Sequence, residues 1–436
     1  MTSTQGIIES FKQKSSKLIR NGEIRAFIEN LGIVFIFRFT SAVLSVIGLV
    51  LAARFLGAVS VGHITVIQNT AYLLYIPMCF SINMSIIKFL PDCKNEEEVE
   101  ELLGSIGVWS LVLTALTIIV YGLFHVYISK ALGFSAMQLL LTVIMAVTIN
   151  YSMITEAILR SRKRFLSLGI IKMVSSLIFF AFMLISSLVL KNYYYFVYGI
   201  IINQIVAIIW SLKTIKIKKF RFSMETSKIA YKYGAINMVS GVLSYIMFNS
   251  DLYIVKHFCS DYDVGIYSLY QVNIKNFFNL MFHEIFAVVF LPTIVRMDTT
   301  KIYKRIKSLI PLILPLAIIA NMGLSIVMIL LYGRSYTINW MYVLLISVSL
   351  GFHFMYYVFN SVFTVEGKKG AILCMSVLGI PMPVLILTSI VLTRTWGITG
   401  ELTSLLVTQL TLVVVFLLII KFKYLKNEQT QIKALK

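Results

Sequence analysis

Residues Leu31 to Ala53 read LGIVFIFRFTSAVLSVIGLVLAA. A hydrocarbon core about 30 Å thick takes about 20 consecutive apolar residues in helical form. This stretch supplies them with Arg38 as its one charge. Eleven further stretches of the same kind follow it. They run roughly Thr65–Leu90, Leu103–Ile128, Met137–Leu159, Leu166–Leu190 and Tyr193–Leu212 in the first half of the chain. In the second half they run Tyr233–Lys256, Ile266–Leu291, Leu309–Leu331, Trp340–Val365, Ala371–Leu392 and Thr399–Ile420. A chain of 436 residues that is 58% hydrophobic, with mean hydropathy +0.87, has more apolar surface than a soluble core can hide. The strand alternation of a lipid-facing barrel is absent, which leaves helices to satisfy the backbone in lipid. The expected fold class is an all-α integral membrane protein with about twelve transmembrane helices.

The net charge of +20 suggests nucleic acid at first sight, but its distribution argues otherwise. Of the 39 lysines and arginines, thirty lie in the N-terminal arm, the C-terminal tail and the connections after spans 2, 4, 6, 8 and 10. Six lie on the opposite side, and Arg38, Lys172 and Lys275 fall inside spans. A split of that size is a positive-inside signal, so both termini are expected in the cytoplasm and no nucleic-acid partner is implied. The first thirty residues are charged and carry no short apolar region with a cleavage site, so no secretory signal is read there. Cys79, Cys93, Cys259 and Cys374 have no metal-type spacing and imply no disulfide. No metal or cofactor is called for.

The organisation expected is a cytoplasmic arm (residues 1–30), a six-span N-lobe (31–212), a basic linker (213–232), a six-span C-lobe (233–420) and a cytoplasmic tail (421–436). The halves look related. Phe55 and Val61-Gly62 follow span 1, and Phe258 and Val264-Gly265 follow span 7 in the same frame. Basic pairs at Arg162-Lys163 and Lys368-Lys369 follow spans 4 and 10. An even number of spans per repeat puts both copies the same way up, so a pseudo-two-fold along the membrane normal is expected. Substrate in such folds sits between the repeats near the midplane. Outer connections are short, which excludes an enzyme with a catalytic outer domain, such as a polymerase or ligase.

Several motifs resemble those of a known family. Ala53-Arg54-Phe55-Leu56-Gly57 with Val61-Gly62 is one. Asp251 ahead of Val264-Gly265-Ile266-Tyr267-Ser268-Leu269 is another. Phe290-Leu291-Pro292, Leu331-Tyr332-Gly333 with Tyr336, and Gly367-Lys368 complete the set. The chain resembles the O-antigen and capsular polysaccharide flippases, which move lipid-linked oligosaccharides and belong to the multidrug/oligosaccharidyl-lipid/polysaccharide exporter superfamily. The resemblance implies two lobes around a V-shaped cavity faced by spans 1, 2, 7 and 8. It implies an undecaprenyl-pyrophosphate-linked glycan as substrate, the bacterial inner membrane as location, other polysaccharide-assembly membrane proteins as partners, and no covalent chemistry.

A charge in hydrocarbon is costly, so each one inside a span needs a partner, water or a role. Arg38, Lys275 and Lys88 are candidate anion-binding groups of the cavity, Arg38 through its planar guanidinium. Tyr72 and Tyr270 are candidates for stacking on sugars. Lys275 and Asp251 are placed either to pair with each other or to face the cavity. Asp251, His283 and Glu284 are candidates for coupling transport to H+ or Na+. Lys172 is expected to reach back to the cytoplasmic surface, and Glu156 to pair with Arg160 at i,i+4. Pro77, Pro381 and Pro383 should kink spans 2 and 11, where they could serve as hinges. Two rivals from the same superfamily stay open: a cation-coupled drug antiporter, which needs an anionic cleft, and a peptidoglycan lipid-precursor flippase.

Overall fold

The computed structural model describes residues 22–215, 219–282, 299–365 and 368–425, with side chains from Phe37 onward, Arg38 and some others excepted. The chain is helical almost throughout, and among the described residues there is no strand. In the first half, α1 is Gly22–Cys79, α2 Ile82–Phe89, α3 Glu96–Leu123, α4 His125–Leu132 and α5 Ala136–Ser161. It continues with α6 Phe165–Leu184, which ends in a π-helical turn, and α7 Tyr193–Ile215. In the second half, α8 is Met224–Phe258, α9 Asp261–Tyr267, α10 Asn273–Phe282 and α11 Thr299–Tyr332. It closes with α12 Trp340–Val365, α13 Lys368–Gly379 and α14 Met382–Ile419.

Nine helical stretches among the described residues are long and apolar enough to cross a membrane. Two of them hold two passes. Ser41 and Tyr72 of α1 line the same cavity. On one straight helix they would stand about 46 Å apart, so the chain folds back between them. It does so at Gly57, whose φ of 81° and ψ of 171° are non-helical and lie where a Cβ is strained. In α14 the turn is at Gly397, with φ 58° and ψ −136°. The described part of span 8 holds α9, a π-helical turn at Ser268–Val272, and α10. Among the described residues, the passes read from hydropathy follow in order.

Where kinks are expected, the helices divide. Three residues past Pro77, Phe80 and Ser81 take φ of 50° and 52° and divide α1 from α2. Gly379 and Pro381 divide α13 from α14. One boundary differs from hydropathy: α3 begins at Glu96 rather than near Leu103. Asn95 caps it by accepting a hydrogen bond from Glu98 N at 2.8 Å, and Glu96, Glu97 and Glu98 occupy its first turn. Side-chain capping and the helix dipole extend this helix beyond its apolar part.

Within the first half, α1, α5, α6 and α7 pack on one another; within the second, α12 packs on α11 and α14. The halves meet at both ends. At the basic end, which carries Arg160, Arg162 and Arg164, Ser85 Oγ donates to Ala230 O at 2.7 Å. Arg221 pairs with Glu97 there at 2.9 Å. At the opposite end the two Val-Gly motifs touch. A Cβ on Gly62 would lie 3.0 Å from Gly265 N, and one on Gly265 would lie 2.0 Å from Ala58 O. Beside them, Tyr336 OH donates to Ala53 O at 2.8 Å. Lys256 donates to Asp261, which holds that carboxyl below the usual range, with His63 adding a smaller pull in the same direction.

Candidate functional site

Two cavities lie between and within the halves, and they share part of their walls. The first encloses about 630 Å³. Span 2, the part of α1 after Gly57, gives it Gln68, Asn69, Tyr72 and Tyr75; α8 gives Gly241, Ser244, Tyr245 and Asn249. Span 8 contributes Asn273, Lys275, Asn276 and Asn279, and α12 contributes His353 and Tyr357. Steps of three and four residues keep each set on one helix face. The π-helical turn just before Asn273 re-registers span 8 where it meets the cavity, a placement common at functional sites. The polar part of the wall is mostly amides, phenols and hydroxyls, set among Ile76, Phe248 and Val272. Lys275 is the one lysine or arginine in its described lining, which holds no Asp or Glu.

The second cavity encloses about 620 Å³ and is lined mostly by the first half, with Asn273, Asn276, Phe277 and Met328 from the second. Gln68, Tyr72, Asn273 and Asn276 are common to both cavities. Glu156 and Arg160 of α5 and Lys172 of α6 lie on the wall of the second. Glu156 pairs with Arg160 at 2.7 Å, the expected i,i+4 contact, and with Lys172 at 2.8 Å.

The sequence left open whether Lys275 pairs with Asp251 or faces the cavity. It does both. Its ammonium lies 4.0 Å from Asp251 Oδ2, donates to Phe248 O at 2.6 Å, and borders the first cavity. Tyr267 OH donates to Asp251 Oδ2 at 2.6 Å, while Asp251 Oδ1 is buried without a hydrogen-bond partner. A second buried acid, Glu401, is 1% exposed. It accepts hydrogen bonds from Ser389 at 2.5 Å and from Thr393, and it lies within electrostatic reach of Asp251 and Tyr267.

The remaining candidates separate. Tyr72 lines both cavities. Lys88 is exposed at the end of α2, 4.1 Å from the centre of the Tyr233 ring, away from both described linings. Tyr270 is also absent from both. It is buried, donates to Thr337 O at 2.7 Å and accepts from Asn339 N at 3.0 Å. The Arg38 side chain, and His283 and Glu284 entirely, lie outside the described residues. Lys172 reaches Glu156 rather than standing alone at the surface. Sequence reasoning missed Glu401, which sits near the end of a span and reads as interfacial until Gly397 folds Ser389 and Thr393 over it. It also missed the amide wall, for which a signal existed: Asn273, Asn276 and Asn279 recur every three residues inside an apolar span. Among the described residues no group of three or more His, Cys, Asp or Glu could hold a metal ion.

A bundle of apolar passes around cavities that share part of their walls is the architecture of a multi-pass membrane protein, and the solved structures it resembles share that fold. An inward-facing multidrug resistance MATE family transporter is 12% identical and matches over 91% of this chain and 99% of that one, with a TM-score of 0.66. The lipid II flippase MurJ in an inward closed conformation is 16% identical over 89% and 87%, with a TM-score of 0.63. An outward-facing MATE family transporter is 11% identical over 92% and 96%, at 0.54. These are folds of the multidrug/oligosaccharidyl-lipid/polysaccharide exporter superfamily, whose members are transporters and flippases rather than enzymes. No curated protein matches the chain in sequence. The chain belongs to the polysaccharide biosynthesis protein family, whose model matches residues 27–298.

Proposed function

We propose that the protein is a flippase that carries an undecaprenyl-pyrophosphate-linked oligosaccharide repeat unit, of the O-antigen or capsule type, across the bacterial inner membrane. The basic end faces the cytoplasm with both termini, and two six-span lobes rock about the cavities to expose them to each side in turn. The observation that carries this reading is the chemistry of the 630 Å³ cavity. Amide and phenol groups supply the donors and acceptors that sugar hydroxyls need, and the tyrosine rings offer flat faces for pyranose rings. A cation-selecting antiporter needs carboxylates on that wall, and its described lining has none. A peptidoglycan lipid precursor presents the same lipid diphosphate chemistry, and the likeness to the MurJ fold keeps that cargo as the second reading.

Transport is coupled to H+ or Na+ through Asp251 and Glu401. Both are buried, and Asp251 keeps one oxygen unpartnered, an arrangement costly enough in a membrane to need a role. The test is deletion of the gene in its host, followed by analysis of lipid-linked intermediates. Completed repeat units should accumulate on the inner leaflet, and an intact copy should clear them. Normal export without accumulation would remove the proposal.

A further inference from the structure

The 620 Å³ cavity is divided along its length. At the basic end stand Glu156, Arg160 and Lys172, the charged residues of its described lining. Farther in, the wall turns apolar with Phe179, Met183, Phe196 and Met328. Seven residues of helix separate Lys172 from Phe179, a rise of about 10 Å. Among the described residues Glu156 pairs with two bases, Oε1 with Arg160 and Oε2 with Lys172. These three described side chains sum to one positive charge. The exposures of its members differ in a telling way. The side chains of Arg160 and Lys172 are 40% and 32% exposed, and that of Glu156 is 12%. The bases are the more accessible members of the cluster, and the acid is the more covered.

We propose that Arg160 and Lys172 form the diphosphate-binding site for the lipid-linked substrate, with Glu156 as a built-in anion that the diphosphate displaces. This rests on the flippase reading above and deepens it. Two bases on the wall of a cavity within the membrane need a counter-charge, and Glu156 provides it. A diphosphate carries more charge and more acceptor oxygens than one carboxylate. It offers the guanidinium two parallel acceptors and leaves another for the ammonium. From this position the sugars reach Gln68, Tyr72, Asn273 and Asn276, the residues this cavity shares with the amide-lined one. The first isoprene units lie toward the Phe179 and Met183 wall, whose methionine side chain adapts to branched apolar chains. The site thus separates the substrate by chemistry: charge at the rim, sugar toward the shared wall, lipid along the apolar one.

The test is binding to the purified full-length protein in nanodiscs, with undecaprenyl diphosphate, undecaprenyl phosphate and undecaprenol as probes and a uridine diphosphate sugar as the lipid-free diphosphate. Affinity should fall in the order diphosphate, monophosphate, alcohol, and the soluble diphosphate should compete weakly. Arg160→Gln and Lys172→Gln should each weaken undecaprenyl diphosphate about tenfold or more and leave undecaprenol unchanged. Arg160→Lys, which keeps the charge and the fold, should fall between. Glu156→Gln should bind the diphosphate several-fold tighter while melting at a lower temperature without ligand. A purely structural ion cluster predicts that Glu156→Gln loses both stability and binding, and that result overturns the proposal. Wild-type affinity in both Gln variants of the bases overturns this site and leaves the flippase reading standing. Equal competition by the soluble diphosphate overturns the lipid-linked assignment. No binding of any polyprenyl diphosphate by the unaltered protein removes both.

Discussion

Gly265→Ala perturbs the contact between the two Val-Gly motifs directly. The added Cβ would lie 2.0 Å from Ala58 O and 2.3 Å from Ala58 C. Both are backbone atoms, so no flexible side chain can swing aside. Ordinary van der Waals separation requires α9 and the turn after Gly57 to part by over 1 Å, and overpacking of this kind costs about 1–3 kcal/mol. The cost falls on the conformation in which the Gly62 end is sealed, because an open seal has no such contact. The equilibrium between sealed and open should therefore shift toward open by about 5- to 150-fold. Gly62→Ala, whose Cβ would meet Gly265 N at 3.0 Å, should shift it less. Gly122→Ala is the control, since nothing lies within 4 Å of its Cβ. The assay is pulsed electron resonance in a background lacking Cys79, Cys93, Cys259 and Cys374. Spin labels replace exposed Phe55 and Tyr262, which flank the seal. The long-distance population should grow in the order Gly122→Ala, Gly62→Ala, Gly265→Ala. Identical distributions with normal export in all three would refute the reasoning.

Two further outcomes are expected. A reporter inserted in the linker between Lys213 and Lys232 should report the cytoplasm, and activity on the outer side would overturn the orientation. Asp251→Asn and Glu401→Gln should each reduce the dependence of transport on an imposed ion gradient while leaving substrate binding within about twofold; unchanged gradient dependence in both would remove these acids from coupling.

The fold was legible because lipid allows few solutions. Stretches such as Leu31–Ala53 have one reading in hydrocarbon, and the basic connections order the passes. Pro77 and Pro381 announced two breaks. The start of α3 was hidden because Asn95 and the three glutamates after it form a polar cap that hydropathy reads as loop. The site was less legible because charge is a poor guide to what faces a cavity. Lys88 and Tyr270 are the right residue types in the right spans, yet local packing takes both: a ring for one, the backbone at Thr337 and Asn339 for the other. From sequence, Lys172 reads as reaching the cytoplasmic surface and Glu156 as pairing with Arg160 along its own helix. Only the fold shows that α5 and α6 bring them together on one wall. Glu401 needed the Gly397 turn before its partners, Ser389 and Thr393, could be seen.

The central claim is that these cavities pass a glycan-bearing lipid diphosphate through the membrane. The direct measurement reconstitutes the purified protein into liposomes with an undecaprenyl-pyrophosphate-linked oligosaccharide on one leaflet. A membrane-impermeant lectin or glycosidase then follows the sugar's arrival on the other. The account predicts protein-dependent arrival that slows in Tyr72→Ala and in Arg160→Gln. Arrival at the rate of protein-free liposomes, from protein shown to be folded and to bind the lipid, would contradict it.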